Sequence, residues 1–295
     1  MITKRARYLL VAIGVILFPF ILFALNGLVF SDRNQARTGS VTTSFNLAPT
    51  SSTVRVMSYN IAKAFIYQGR GQLDSKEHVD KHLNEISVVI RNANPDIVCL
   101  SEVIREGGWN HTDQVEYLAE HTGLTNWAFG ECYSFGLPFY RMVGGNAVLS
   151  RYPLTALGNL DLPGRQSFYI TRNNRRALVV EVSLPRGTLP LWSLHNDSFD
   201  ITNNLAQTEY ILEHPLSQHA MLAGDFNAEP HTKPVELLQS SLRFQGAFDS
   251  LPTYPSSNPT RAIDFVFAPA TWTMITHTVL TNTVSDHHPV LTDWK

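Results

Sequence analysis

Short apolar runs recur from residue 54 to the end of the chain, and this feature constrains the fold more than any other in the sequence. Residues 54–58 alternate between apolar and polar side chains, as a half-buried strand does. Residues 97–100 form a continuous apolar run, which suits a strand buried on both faces. Between them, residues 78–90 place apolar side chains at helical spacing. Because strands outnumber helices and several follow one another, we predict an α/β fold of layered sheets with helices outside.

The remaining elements are predicted by the same patterns. Helices are expected over residues 112–121, where Gly123 closes the helix, and over residues 203–213, where Pro215 ends it. Strands are expected over residues 147–149, 177–184, 189–194, 219–222, 263–267 and 290–292. We therefore interpret residues 54–295 as one domain.

The first thirty residues differ from the rest in composition. Lys4, Arg5 and Arg7 precede an uncharged run over residues 8–30, and those 23 residues exceed the roughly 20 that a transmembrane helix needs. A secretory signal peptide usually has a shorter apolar region of about 7–15 residues, so the length favours an uncleaved anchor over a cleaved peptide. The positive-inside rule then predicts a single-pass membrane protein whose larger part lies on the extracytoplasmic side.

Two further features concern the organisation of the chain. Residues 31–53 are rich in Ser, Thr and Asn with little periodicity, and we predict that they form a linker. The two cysteines are Cys99, which lies in a predicted buried strand and is expected to be a free thiol, and Cys132. Whether they pair is left open, and nothing in the sequence indicates an obligate protein partner.

The charge of the predicted domain bears on its substrate. Five of the 23 basic residues and one of the 25 acidic residues precede residue 54, which leaves 18 basic and 24 acidic residues and a net charge of −6. A nucleic-acid-binding protein normally has a basic surface, so the net charge of this domain does not favour nucleic acid as a partner. One local basic stretch is either a solvated face or a rim for an anionic substrate; it consists of Arg165, Arg172, Arg175, Arg176 and Arg186.

Acidic, amide and imidazole side chains follow several of the predicted strands. They are Asn60, Glu102, His195, Asn196, Asp225, Asn227, Asp264, Asp286 and His287. Each one alone is explained by the turn that follows a strand, but polar groups at successive strand ends can converge on one site. Oxygen ligands together with imidazoles suit Mg²⁺ or Mn²⁺ and a phosphate, and they do not suit a structural zinc.

Seven segments resemble, in order, the motifs of the endonuclease/exonuclease/phosphatase superfamily. They are MSYNI at residues 57–61, DIVCLSE at 96–102, GNAVLSRYP at 145–153, SLH at 193–195, GDFN at 224–227, RAIDF at 261–265 and SDHHP at 285–289. The resemblance covers about residues 54–294. It implies a four-layer α/β/β/α sandwich of two packed mixed sheets, with the site at one edge of the sheets.

The resemblance also implies a metal site. Glu102 would bind the metal ion, with Asn60 and Asp286 close to it. The expected ion is Mg²⁺, with Mn²⁺ as the alternative.

Roles for the other candidate residues follow from the same resemblance. Asp225 would orient or deprotonate the attacking water, and Asn227 would hold the phosphate. His195 would bind the phosphate and stabilise charge on the phosphoryl oxygens. His287, oriented by Asp264, would act either as an acid/base or as a phosphate clamp. Asn146 is a further candidate for phosphate binding.

The resemblance implies metal-assisted hydrolysis of a phosphodiester by in-line attack of water. The superfamily acts on many phosphoesters, so the fold does not identify the substrate. We predict the substrate instead from the location of the domain and from its charge. These favour a membrane-proximal lipid or a small phosphodiester over an extracytoplasmic nuclease acting on DNA or RNA. A catalytically silent binding module is a further alternative. An apolar cluster beside Pro138 either contacts lipid or packs as a strand and turn; it consists of Phe135, Leu137, Phe139 and Tyr140.

Overall fold

The computed structural model describes residues 3–28, 31, 35–45, 53–66, 74–108, 112–164 and 175–295. The helices in these residues are α1 (Lys4–Leu28), α2 (Lys76–Ala93), α3 (Gln114–Thr122), α4 (Ile201–Glu213) and α5 (Lys233–Ser240). The strands are β1 (Ala36–Ser40), β2 (Val54–Asn60), β3 (Ile97–Gly107), β4 (Asn126–Leu137), β5 (Tyr140–Ser150), β6 (Leu154–Asp161), β7 (Arg176–Leu184), β8 (Gly187–His195), β9 (Met221–Asp225), β10 (Phe244–Gln245), β11 (Asp264–Pro269), β12 (Met274–Val279) and β13 (Val290–Trp294).

The described strands form two mixed sheets. The first has seven strands in the order β1-β4-β5-β3-β2-β13-β12, and the second has six in the order β10-β11-β9-β8-β7-β6. Each sheet contains one parallel pair, β2 with β3 and β8 with β9. A parallel pair needs a crossover connection, and the helices α2 and α4 provide the two crossovers. As a result, the carboxyl ends of four strands face the same region of the molecule.

Three clusters of buried side chains separate four layers of secondary structure. On the outer face of the first sheet, Leu83 of α2 packs in one cluster with Leu100. Between the sheets, Val148 and Val180 belong to a second cluster. On the outer face of the second sheet, Ile211 of α4 belongs to a third. This is the predicted four-layer α/β/β/α sandwich, so the predicted fold is confirmed.

The helix α2 shows how local sequence sets its bounds. It begins after Ser75, whose side chain accepts a hydrogen bond from the backbone N–H of His78 at 3.2 Å. It ends at Asn94, which has a left-handed φ of 50° and precedes Pro95. The predicted helix over residues 78–90 is therefore confirmed, and the caps extend it at both ends.

The predicted linker is wrong for part of its length. Residues Ala36–Ser40 form β1, which pairs antiparallel with β4 from Ala36 opposite Gly130 to Ser40 opposite Asn126. The edge of β4 offers unpaired backbone groups, and backbone pairing requires no apolar pattern in the added strand. Gly39 allows the close approach, because a Cβ there would lie 2.4 Å from the Trp127 ring.

The two cysteines do not pair. Cys99 and Cys132 are both buried and free. Burial raises the pKa of the Cys99 thiol to about 12 and that of Cys132 to about 11, so neither is a reactive thiolate at neutral pH. The expected free thiol at Cys99 is thereby confirmed.

The helix α1 is long and apolar enough, over Lys4–Asn26, to cross a membrane. A signal sequence near the N-terminus satisfies the same criteria, so the uncleaved anchor and its orientation remain predictions. Most of α1 is exposed, and its last turns pack against β4.

Asp96, the residue before β3, allows a test of the fold. Its side chain is fully buried, and its two oxygens accept hydrogen bonds from Arg151 Nε and from the backbone N–H of Arg55, both at 2.9 Å. Asp96→Asn places an amide donor against one of these donors, so we expect the free energy of unfolding to fall by about 3 kcal/mol.

Chemical denaturation of the full-length protein in detergent micelles measures this change. Asp249→Asn is the matched control, because the Asp249 side chain is 81% exposed, and we expect a change below about 0.5 kcal/mol. Equal effects of the two substitutions would contradict the structural role of Asp96.

Candidate active site

Asp225 lies at the centre of the predicted site residues, at the end of β9. The amide Nδ2 of Asn60 donates to Asp225 Oδ2 at 3.1 Å. His195 Nε2 lies 3.6 Å from the same oxygen, and His287 Nε2 lies 3.9 Å from it. All four side chains are buried. One carboxylate therefore bonds to an amide and faces two imidazoles in a site nearly closed to bulk solvent.

Gly224 allows β9 to approach β8 closely at this point. Its φ is +150°, and a Cβ there would lie 2.0 Å from the backbone oxygen of Leu194. Only glycine combines this conformation with this spacing, which gives a physical reason for the Gly-Asp order in the GDFN segment.

His287 is oriented by a second carboxylate. Its Nδ1 lies 2.8 Å from Asp264 Oδ2, and the Thr253 hydroxyl donates to that same oxygen at 2.6 Å. Burial lowers the pKa of His287, but the surrounding carboxylates, Asp264 first and then Asp225, outweigh it and raise that pKa to about 10. His287 is therefore an imidazolium at neutral pH.

The pKa of Asp225 is raised, first by burial and then by the nearby Asp264 carboxylate. The charge of His287 and the hydrogen bonds from Asn60 and from the backbone N–H of Asn227, at 2.9 Å, oppose that rise. A carboxylate with a raised pKa is a stronger base than an ordinary one, and this suits a group that takes a proton from water near neutral pH.

Glu102 lies beside this cluster and pairs with a lysine. The register of β3 shifts between Leu100 and Val103, and Glu102 has a positive φ of 56°. Its carboxylate forms an ion pair with Lys63 and lies 3.9 Å from His195 Nε2. Burial raises the pKa of Glu102, but the ammonium of Lys63 outweighs it and lowers that pKa to about 2. Glu102 is therefore ionised over the whole physiological range.

His195 has the opposite protonation state to His287. Burial lowers the pKa of His195 well below its usual value, Arg175 lowers it further, and Glu102 opposes the fall. His195 is therefore neutral at neutral pH and has one ring N–H to donate. Asp225 thus faces one neutral and one charged imidazole.

A cleft of about 200 Å³ lies beside Glu102 and His195. Lys63 and Arg175 contribute to its lining. The guanidinium of Arg175 donates from Nη2 to Ser198 Oγ at 2.9 Å, which holds it at the cleft. The lining contains two cationic side chains and one carboxylate, so the cleft attracts an anionic group.

Asn146 also lines the cleft, but it uses its amide within the fold. Its Nδ2 donates to the backbone oxygen of Arg176 at 2.8 Å and to that of Ser193 at 3.4 Å. These bonds tie β5 of the first sheet to β7 and β8 of the second. The role of Asn146 in phosphate binding stays a prediction.

Asn227 and Asp286 are half-buried and lie next to the central cluster. Asn227 has a positive φ of 49°, and its Nδ2 donates to the backbone oxygen of Asn196 at 3.1 Å, which uses one of its two amide hydrogens. Asp286 accepts a hydrogen bond from the Ser285 hydroxyl at 3.4 Å. Burial raises the pKa of Asp286, so it is less firmly ionised than Glu102.

The basic stretch divides into residues with different surroundings. Arg175 lines the cleft, whereas Arg176 is buried in an ion pair with Asp161. Arg186 lies in a different groove. Arg165 and Arg172 fall outside the described residues. Of the described arginines in this stretch, Arg175 is the one that lies where a rim for an anionic substrate is expected.

Lys63 and Thr253 are two site residues that the sequence did not reveal. Lys63 lies in a turn in which the residues of Ala62–Phe65 all have positive φ, and no periodic pattern marks such a turn. Thr253 reaches Asp264 through a hydroxyl eleven positions away in sequence. In the sequence, Lys63 is marked only by its position three residues after Asn60, and Thr253 only by a Pro-Thr-Tyr-Pro segment. Neither feature is specific enough to predict a site residue.

Two places in the site contain groups that could bind a metal ion. Asp225, Asp264 and His287 have ligand atoms within 4.8 Å of one another. In this group, however, His287 Nδ1 is already bonded to Asp264 Oδ2 at 2.8 Å. The Thr253 hydroxyl donates to the same oxygen, so this group is better described as a hydrogen-bonded relay.

Glu102 fits a divalent ion better. It is ionised, and the ammonium of Lys63 on its carboxylate stands in for a cation. Asn60 lies on the neighbouring strand opposite Ser101, and the Asp286 carboxylate is close enough for Glu102 to affect its pKa. An ionised carboxylate with further oxygen donors suits Mg²⁺ or Mn²⁺.

Comparisons with known proteins agree with this geometry. The model of the Endonuclease/Exonuclease/phosphatase family matches residues 57–287. The crystal structure of an endonuclease/exonuclease/phosphatase from Beutenbergia cavernae is 26% identical, with a TM-score of 0.67 over 82% of this chain and 71% of that chain. No curated protein matches the sequence.

Two more distant solved structures share the fold. The mannosyl-6-phosphatase of Bacteroides thetaiotaomicron is 14% identical, with a TM-score of 0.56 over 82% of this chain and 99% of that chain. The catalytic domain of human Nocturnin with bound sulfate is 19% identical, with a TM-score of 0.57 over 90% of this chain and 99% of that chain. At these identities the likeness concerns the fold.

Proposed function

The chain belongs to the endonuclease/exonuclease/phosphatase family, and from this premise we propose that it is a divalent-metal-dependent phosphodiesterase. Members of the family are phosphoesterases or nucleases, and a phosphatase is among the solved structures with this fold. The proposed reaction is hydrolysis of a phosphodiester by in-line attack of water on phosphorus.

The observation that best supports the proposal is the environment of Asp225. It is a buried carboxylate with a raised pKa, and it faces the neutral His195 and the charged His287. A base for water, a neutral donor and a charged donor are the groups that hydrolysis of an anionic ester requires.

The proposed mechanism assigns one task to each group. Asp225 orients a water molecule and accepts its proton as the water oxygen bonds to phosphorus, and the opposite ester bond breaks to release an alcohol whose oxygen takes up a proton from solvent. His195 donates its single N–H to a phosphoryl oxygen, and Asn227 donates its remaining amide hydrogen to the same phosphate. His287 keeps its proton because Asp264 holds Nδ1, so Nε2–H serves as a positively charged phosphate clamp.

A divalent ion, Mg²⁺ with Mn²⁺ as the alternative, would be held by Glu102 together with Asn60 and Asp286. When bound, it neutralises the negative charge of the phosphate. Lys63, which pairs with Glu102 and lines the cleft, would then be free to face the substrate anion.

The proposed substrate is a membrane-proximal lipid or small phosphodiester. Lys63 and Arg175 supply positive charge only within the cleft, whereas the domain as a whole is acidic. A long nucleic acid needs a basic track for its backbone, and an anionic headgroup needs only the cleft. An extracytoplasmic nuclease is the alternative.

The substrate class is tested with the full-length protein in detergent micelles. The substrates are bis(p-nitrophenyl) phosphate, p-nitrophenyl phosphate, sphingomyelin in mixed micelles and plasmid DNA, each with Mg²⁺ and with EDTA. We expect Mg²⁺-dependent cleavage of the small diester or the lipid, and loss of that cleavage in His195→Ala. Faster cleavage of DNA would favour the nuclease, and hydrolysis that survives both EDTA and His195→Ala would contradict the proposed site.

The lysine on Glu102 gives a separate prediction about the metal. Because the Lys63 ammonium occupies the Glu102 carboxylate and repels a second cation, we expect Lys63→Met to lower the Kd for Mn²⁺ about tenfold. Electron paramagnetic resonance of free Mn²⁺, titrated with the full-length protein, measures this Kd. Lys76→Met is the control, because Lys76 pairs with Asp80 on the surface of α2. An unchanged or higher Kd in Lys63→Met would show that Lys63 does not compete with the ion.

A further inference from the structure

The helix α1 and the β4–β5 hairpin touch at three points, and the order of these points fixes their relative direction. Ser31, just after α1, donates through Oγ to Glu131 Oε1 at 2.6 Å. Further back along α1, Asn26 Oδ1 accepts from Ser134 Oγ at 3.2 Å. One turn further back, the ring of Phe23 packs edge-on against Phe135 with centroids 5.3 Å apart. As β4 advances, it therefore meets residues progressively nearer the middle of α1.

From this order we infer that the tip of the β4–β5 hairpin enters the same lipid bilayer that α1 crosses. A transmembrane helix needs roughly 20 apolar residues, so Phe23 lies inside the apolar part of α1 and not beyond its end. Phe135 contacts Phe23 and must share its depth. The tip lies beyond Phe135 in the direction of the bilayer centre.

The composition of the hairpin matches that environment. The nine residues between Glu131 and Arg141 contain no charge. Phe135 is 54% exposed and Phe139, in the turn, is 77% exposed. The apolar phenylalanine rings suit the lipid side of the boundary between lipid and water, and charged residues at both ends of the run suit its polar side.

Pairing between its own two strands satisfies part of the backbone of the hairpin. β4 and β5 pair antiparallel up to Leu137 opposite Tyr140, and only Pro138 and Phe139 form the turn. Proline has no N–H to leave unpaired, and the facing backbone groups of the two strands bond to each other, whereas the outer edges near the tip need headgroups or water as partners. Among the described residues, this hairpin is thus an apolar projection that runs alongside α1.

The same hairpin connects the bilayer to the cleft, and this consequence rests on the proposed function. Tyr133 lines the cleft, and it lies only two residues before Phe135 on β4. At about 3.3 Å per strand residue, the cleft lies within about 20 Å of the level of Phe135. The proposed substrate is therefore a phosphodiester presented at the headgroup level of that membrane.

Nitroxide spin labels in the full-length protein, reconstituted in phosphatidylcholine vesicles, test the inference without an activity measurement. Phe139→Cys carries the label at the tip of the hairpin. Leu242→Cys is the matched control, because the native Leu242 side chain is 81% exposed and lies just after α5, which packs on the second sheet. The buried native cysteines give the background from the unsubstituted protein. We expect the label at residue 139 to collide several times more often with oxygen than with a water-soluble nickel chelate, and the label at residue 242 to show the reverse.

Two results would overturn the inference. One is preferential collision of the residue-139 label with the nickel chelate, which would place the tip in water. The other is dipolar broadening between labels on separate chains, which would make the tip a contact with a second copy. Because neither readout involves hydrolysis, failure here leaves the proposed chemistry untouched, and failure of the chemistry leaves this result standing.

Discussion

Asp225→Asn is expected to lower kcat for phosphodiester hydrolysis by about 10³-fold while KM stays within a few-fold of wild type. The amide keeps the size of the side chain, but it cannot accept a proton from water. Asn60 and the backbone N–H of Asn227 donate to the two carboxylate oxygens, and an amide can satisfy only one of them. Because the amide cannot act as a base, the rate of the chemical step falls, and substrate binding changes little.

Steady-state kinetics of the full-length protein at saturating Mg²⁺ measure this effect. Asp249→Asn is the matched control, because it makes the same chemical change at an exposed site, and we expect wild-type kinetics. The melting temperature of Asp225→Asn shows whether the variant remains folded. A folded Asp225→Asn that retains more than a tenth of wild-type kcat would rule out Asp225 as the base.

Glu102→Gln is expected to abolish saturable Mn²⁺ binding and to lower kcat/KM by at least about 10³-fold. Glu102 is the firmly ionised carboxylate of the proposed metal site, because its pKa is lowered to about 2. Glutamine has nearly the same shape but no charge, so it removes the strongest ligand with little change in packing. Lys63 also loses its partner and adds an uncompensated positive charge where the ion would bind.

Glu106→Gln provides the control on the same strand. Glu106 is 41% exposed and pairs with Arg141, away from the central cluster, so we expect unchanged Mn²⁺ binding and unchanged kinetics. Titration of Mn²⁺ monitored by electron paramagnetic resonance compares the two variants directly. Wild-type Mn²⁺ affinity in Glu102→Gln would place the metal site elsewhere, with the group around Asp225 as the next candidate.

The sequence best predicts which side chains the fold brings together where a strand ends. Asn60, His195 and Asp225 each end a strand, and the two parallel crossovers bring these ends together. Local sequence suffices for this prediction because apolar runs mark the strands and the polar residue follows directly. The hydrogen bond between Asp264 and His287 agrees with the orientation that the family resemblance implies.

Other parts of the site depend on contacts that no local pattern encodes. Lys63 reaches Glu102 because of a left-handed turn, and Thr253 reaches Asp264 from a separate loop. The protonation states of His195 and His287 also differ only because their neighbours differ. Such features follow from three-dimensional packing, so they could not be predicted from the spacing of residues.

The fold shows the same division. The helix α2 follows from its apolar spacing and its caps. In contrast, β1 and most of the β4–β5 hairpin were not predicted. β1 has no apolar alternation and forms by backbone pairing with β4, and the hairpin contains glycines and exposed apolar residues that weaken the strand pattern.

The central claim is that water, activated at Asp225 in a metal-dependent site, attacks phosphorus. Hydrolysis of bis(p-nitrophenyl) phosphate in ¹⁸O-enriched water by the full-length protein tests it most directly. With Mg²⁺, we predict that mass spectrometry finds one heavy oxygen in the phosphomonoester product and none in the nitrophenol. We also predict that EDTA stops product formation and that Asp225→Asn slows it about 10³-fold. Heavy oxygen in the nitrophenol, or the same labelled product in the presence of EDTA, would contradict the account.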